Sequence, residues 1–230
     1  MLLRLPLFFL LRLPGPSPQT GALKMDAAAS IASIAAPDAR RVSTVIDFTT
    51  PTAAASWEAV DDRIMGGVSR SRVVFEGGET SFEGELVVEG GGFCSARLST
   101  PFSLPRDAEI LTLDAAGDGR LGYKLTLRTD DSGVSYQHAL PALEEGFTSL
   151  RLPLAAFTAS RFGRPVAAAP PLRADAVRGV GLMLSRYEAA GGEKGSIAPG
   201  GFRLRLRCLG AEESDLAANG RRWAKPAPVG

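Results

Sequence analysis

The run Gly201–Leu209, GFRLRLRCL, sets Phe202, Leu204, Leu206 and Cys208 on one side of an extended chain and Arg203, Arg205 and Arg207 on the other. Side chains alternate faces only in a strand, so this period demands a strand with one face on a core and the other outside it. Tyr123, Leu125 and Leu127 alternate with Lys124, Thr126 and Arg128 in the same way. Further strand-like runs fall at 42–48, 71–76, 80–89, 93–99, 109–114, 134–140, 147–152 and 179–187. Gly-Gly, Asp-Gly, Ser-Gly and proline turns separate them, as 26 glycines and 16 prolines in 230 residues allow. No helical period of useful length lies between them, and residues 165–176 read as a loop with one helical turn after Pro171. About ten short antiparallel strands therefore predict an all-β sandwich or barrel rather than β-α-β units.

The two ends follow different rules. Met1 to Met25 holds Arg4, Arg12 and Lys24 but no acid, and Asp26 is the first. Its apolar run, Leu5–Leu11, is interrupted by Pro6 and falls far short of the roughly 20 residues that span a bilayer. The segment reads as an organelle transit peptide, with a secretory-type or bipartite plastid signal and a plain disordered start as the alternatives; the first A-x-A is Ala27–Ala29. The expected organisation is a targeting segment and linker over 1–41, a folded body over 42–210 and a tail over 211–230.

Composition excludes several chemistries. With 26 basic against 25 acidic residues, nothing in the net charge favours nucleic acid. The single His138 forbids a two-histidine zinc site, and Cys94 and Cys208 cannot form a four-cysteine one. No metal and no cofactor is expected. Gly117-x-Gly119-x-x-Gly122 spells a dinucleotide fingerprint, but an alternating strand follows it where the phosphate-binding helix should start. It reads instead as a hairpin connection with Asp118-Gly119 at the turn. His138 lies in a strand without a serine or cysteine signature nearby, so no catalytic residue is assigned. Both cysteines fall at apolar positions and read as buried thiols. The acidic pairs Asp61-Asp62, Asp130-Asp131 and Glu144-Glu145 read as turns or solvated edges, because adjacent strand residues face opposite ways. The Arg203/Arg205/Arg207 face reads as solvated or partner-facing.

One stretch exceeds turn chemistry: Trp57-EAVDDRIMGGVSRS, an aromatic anchor, an Asp-rich turn, an apolar plug at Ile64-Met65 and two adjacent glycines. With Phe82-x-Gly84, Gly91-Gly92-Phe93-Cys94-Ser95-x-Arg97, Gly117-Asp118-Gly119-Arg120, Leu152-Pro153-x-x-x-Phe157, Phe162-Gly163-Arg164 and Gly201-Phe202-x-Leu204, it resembles the complex I intermediate-associated protein 30 family over about 42–210. Asp61 stands where that family usually has Asn, Gly91 where its Asn-Gly-Gly-Phe motif has Asn, and Phe147 roughly where a Trp is common.

The resemblance implies a galactose-binding-like jelly-roll sandwich and a non-catalytic assembly factor or chaperone for mitochondrial NADH dehydrogenase. Its implied partners are subunits or assembly intermediates of complex I, met on the matrix side of the inner membrane without a transmembrane helix of its own. A carbohydrate- or protein-binding module of a plastid, for example in photosynthetic-complex biogenesis, is the alternative. The partner-binding residues it points to are Asp61, Asp62, Arg63, Met65, Gly66, Gly67, Ser69, Gly92, Phe93, Ser95 and Arg97.

Overall fold

Two antiparallel sheets facing a shared apolar core account for every described strand in a computed structural model of the chain, which describes residues 41–129, 133–187 and 197–213. The targeting segment, most of the linker, Asp130-Asp131 and most of the expected tail lie outside the described residues. The strands are β1 (Val42–Asp47), β2 (Trp57–Ala59), β3 (Arg70–Glu76), β4 (Glu79–Leu86), β5 (Phe93–Leu98), β6 (Ala108–Ala116) and β7 (Tyr123–Thr129). Then follow β8 (Ser135–Ala139), β9 (Thr148–Pro153), β10 (Thr158–Arg161), β11 (Arg164–Pro165), β12 (Val177–Ser185) and β13 (Gly200–Glu213). One sheet runs β3-β4-β13-β6-β9, with β1 also on β13, and the other runs β11-β10-β8-β7-β12-β5-β2.

The period of two sets the core. Phe82, Leu86, Leu111, Leu113, Leu204 and Leu206 point inward from the six-stranded sheet, against Cys94, Tyr123, Leu125, Leu127, Val180, Leu182 and Leu184 from the seven-stranded sheet. Burying such a set from both sheets is the main stabilising contribution, at about 25 cal/mol per Å² of apolar surface. The Phe82 and Phe202 rings meet edge-on at 5.1 Å, and Trp57 leans on Phe48 at 6.0 Å.

Several details differ from the sequence expectation. The Ala-rich 165–176 stretch does hold one turn, at Ala174–Ala176, but a five-residue helix, Pro51–Ala55, and the short β2, β10 and β11 carried too few residues for a period to show. β13 runs to Glu213, beyond the expected end at Gly210. Its register slips between Leu206, opposite Ala115, and Cys208, opposite Asp114. That bulge shifts the alternation by one, so Leu209 turns into the core and Cys208 sits half-buried outside it. Both cysteines are free.

The Gly117–Gly122 segment is not a hairpin. β6 pairs with β13 and β9, whereas β7 pairs with β12 and β8, so this loop carries the chain from one sheet to the other. Asp-Gly chemistry serves either connection, and Gly119 does take the left-handed φ of 79°. The Asp118 carboxylate accepts from the Tyr123 hydroxyl at 3.2 Å and the Arg203 N–H at 3.1 Å and pairs with Arg120 at 2.8 Å, pinning the crossover to both sheets.

Candidate functional site

Strand β2 pairs with β5 until Ala59 meets Ala96, and the Val60 N–H adds a bond to the Ser95 carbonyl at 2.8 Å. Beyond that rung, side chains continue what backbone began. The Asp61 carboxylate accepts from the N–H of Ser95 at 3.0 Å, and from the N–H and hydroxyl of Ser71 at 2.8 and 2.6 Å. Asp62 accepts from the N–H groups of Gly92 at 2.7 Å, Ser69 at 3.1 Å and Phe93 at 3.4 Å, and from the Ser69 hydroxyl at 2.7 Å. Two carboxylates thus tie the β2 exit to the starts of β3 and β5. The opposite-faces rule fails for this pair because Asp62 opens a 3₁₀ turn, Asp62–Met65, where strand alternation no longer applies.

Asp62 is 0% exposed, and burying a charge is tolerable only when its oxygens are this fully bonded. The glycines around it are there for room. A Cβ on Gly67 or Gly91 would overlap the Asp62 carboxylate itself. Gly66 ends the turn at φ 85°, a conformation that strains any residue with a side chain.

The same loop turns a different set of residues outward. Ile64, Met65 and Val68 are 80%, 67% and 60% exposed, and Arg63 joins them at the surface. Ile64-Met65 is therefore not the expected plug: the Asp62 carboxylate and its donors fill the interior, and the turn at Gly66 sends the apolar pair out. Neighbouring loops reinforce this end of the sandwich. Arg186 donates to the Val88 carbonyl at 2.7 Å, and the Tyr187 hydroxyl donates to that of Gly91 at 3.4 Å.

The residues singled out from sequence thus divide three ways. Asp61, Asp62, Gly67, Ser69 and Gly92 make the internal knot, while Arg63, Met65 and Gly66 lie on the exposed tip. Phe93 and Ser95 lend the knot backbone N–H groups but point their side chains elsewhere, and Arg97 belongs to neither group. All three share the outer face of the seven-stranded sheet, where Ser95 donates to the Val60 carbonyl. Sequence reasoning missed Val68 as part of the tip, and it missed Arg128 and Gly179 on that outer face. A glycine at 179 and again at 181, inside a strand, was the available signal of close approach.

Burial, then the charges of Asp61 and Asp62, push the Cys94 thiol up to about 12, which keeps it protonated and inert. His138 lies against the Phe157 ring at 5.1 Å with Nδ1 beside the Ala139 carbonyl. Among the described residues no group of three His, Cys, Asp or Glu gathers as a metal would require. A cleft of about 710 Å³ lies over β3, β4 and β13. Within its lining Glu83 pairs with Arg72 at 2.7 Å and with Arg203 at 3.6 Å. The arginine face of β13 is similarly engaged: Arg205 reaches Glu79 at 3.2 Å, and Arg207 stacks 3.7 Å over the Phe147 ring.

Residues 46–206 match the family model of complex I intermediate-associated protein 30, a span that contains the knot, the tip and most of both sheets. The chain belongs to the complex I intermediate-associated protein 30 family. That membership supports a role associated with complex I assembly. No curated protein is similar enough in sequence to count as a relative. Among solved structures, the chain is similar to the family 11 carbohydrate-binding module of a cellulosomal cellulase of Clostridium thermocellum. The match has a TM-score of 0.53 at 11% identity and covers 77% of this chain and 97% of that one. The Clostridium thermocellum module in complex with a β-1,3-1,4-mixed-linked tetrasaccharide gives 0.50 at 11% identity, over 77% and 98%. At that identity the likeness is one of fold, a galactose-binding-like jelly roll, as the sequence resemblance implied. No helix among the described residues is long and apolar enough to cross a membrane.

Proposed function

We propose that this protein is a non-catalytic assembly factor that holds intermediates of mitochondrial complex I, and that the Arg63–Val68 tip makes the contact. The observation that carries this reading is three apolar side chains, Ile64, Met65 and Val68, held in water by a loop whose base is a buried carboxylate knot. Exposed apolar groups on a braced loop lose little conformational entropy when they dock, which is how interface anchors gain affinity. Family membership supports an association with complex I; on this reading the partners are its subunits or assembly intermediates, met on the matrix side of the inner membrane. The test is complementation of cells lacking the endogenous protein with Ile64→Ser/Met65→Ser/Val68→Ser. Loss of mature complex I despite normal levels of the variant is the expected outcome. Full rescue would show that the tip is not the contact.

A second reading has one observation behind it. Phe93, half-buried on the outer face of the seven-stranded sheet beside Ser95 and Arg97, is an aromatic placed where a sugar ring could stack. A carbohydrate-binding plastid module would show a glycan-array signal that Phe93→Ala removes.

A further inference from the structure

Six described arginines, Arg72, Arg120, Arg151, Arg173, Arg203 and Arg205, form ion pairs with carboxylates. Among the described residues neither Arg97 nor Arg128 has a carboxylate partner, although Glu58 stands directly opposite Arg97 in the ladder. Both rise from the outer face of the seven-stranded sheet, on β5 and β7, which flank β12 on either side. In register, Arg97 faces Gly181 and Arg128 faces Gly179. The two guanidinium-bearing chains therefore stand at successive positions along one strand that has no side chain at either.

That bare strip is shaped for them. A Cβ on Gly179 would lie 2.8 Å from Arg128 Nη2 and 3.1 Å from its Nε, so the guanidinium rests on the backbone of β12. A Cβ on Gly181 would lie 2.6 Å from the Thr126 hydroxyl and 3.0 Å from the Ala96 carbonyl, with Arg97 Cγ next to it at 3.7 Å. The Arg128 Nε is buried and has no hydrogen-bond partner among the described residues, an arrangement that folding alone does not favour. Burial, then the neighbouring charge of Arg128, lowers the pKa of Arg97, as expected for two cations facing each other without an anion. Thr126, and Gln137 one strand further on, add neutral hydrogen-bonding groups to the same face.

We infer that the Arg97–Arg128 strip is a binding site for the phosphoryl group of a small phosphomonoester. A carboxylate is satisfied by one guanidinium fork, whereas two forks with no acid between them match a dianion carrying three acceptor oxygens. A phosphomonoester has such a charge near neutral pH, its second pKa lying near 6. Thr126 and Gln137 are placed to meet hydroxyls attached to that group. The site is separate from the Arg63–Val68 tip and does not depend on it.

Isothermal titration of the full chain with inorganic phosphate, a hexose 6-phosphate and the unphosphorylated hexose tests this, with sodium chloride matched for ionic strength. Saturable binding of either phosphate, weakened at least tenfold in Arg128→Gln and in Arg97→Gln, is the expected result. Equal affinity for the two phosphates would identify the free ion as sufficient, and tighter hexose phosphate an organic ester. Thermal unfolding of both variants without ligand should match or exceed that of the unchanged protein, because each relieves a like-charge contact. Absence of saturable phosphate binding, equal binding of the unphosphorylated hexose, or undiminished binding in stably folded variants would each overturn the assignment.

Discussion

Within one short loop, Asp61–Ser71, the inward and outward halves obey opposite rules. Inside, Asp62 has its donors closed around it and glycines at 67 and 91 because no other residue fits. Outside, Ile64, Met65 and Val68 have no comparable packing. The difference teaches that the most patterned letters of a motif can be its scaffold, while the residues offered to a partner look in sequence like filler. Serine and aspartate are often read as surface chemistry and isoleucine as core; here the hydrogen-bonding need of the loop base reverses both.

The comparison breaks first at Asp62. Asp62→Ala strands the N–H groups of Ser69 and Gly92 and the Ser69 hydroxyl in a buried site, so it should destabilise the fold by roughly 3–5 kcal/mol in urea unfolding. A loss under about 1 kcal/mol would mean that water replaces the carboxylate and the loop base is not truly closed. Next comes Cys94, a reporter placed beside the knot. Its raised pKa means that folding favours the protonated thiol. The stability this gives is complete below about pH 9 and is lost as pH rises towards about 12. At pH 8, iodoacetamide should modify Cys208 and spare Cys94 until the chain unfolds; early labelling of Cys94 would show the knot opening on its own.

Smaller effects sharpen the contrast with the outward residues. Arg205→Ala removes an ion pair to Glu79, a bond to the Glu145 carbonyl and a cation–π contact with Phe147, and should destabilise by about 1 kcal/mol. Arg63→Ala, on the exposed tip, should stay within about 0.5 kcal/mol. Smallest of all, the triple serine variant of Ile64, Met65 and Val68 should unfold within about 0.5 kcal/mol of the unchanged protein, while complex I maturation falls. A large loss of stability there would return those side chains to the core.

Much of the architecture was legible because alternation is a strong signal: β4, β6, β7, β12 and β13 lie where period-two runs placed them. The bulge after Leu206 was not, because a one-residue slip leaves composition unchanged and shows only against the partner strand. The change of sheet after β6 was hidden for a similar reason, since Asp118-Gly119 turns a chain without saying what the next strand will pair with. At the candidate site, the importance of Trp57–Ser71 could be read, but not which residues faced out. That depended on Ser95, Gly92 and Ser69 supplying donors from elsewhere in the chain. The Arg97–Arg128 pair was invisible because the two become neighbours only across β12.

β13 is the common partner of β1, β4 and β6. Until Gly200–Glu213 leaves the ribosome, β3 with β4 and β6 with β9 are isolated two-stranded pieces and β1 has nothing to pair with. Most of the chain is therefore synthesised before its six-stranded sheet can close, and that closure joins strands distant in sequence. Such a topology folds slowly and late, leaving apolar strands open to association during translation. A nascent chain of this kind needs protection of its own before it can attend to any other protein.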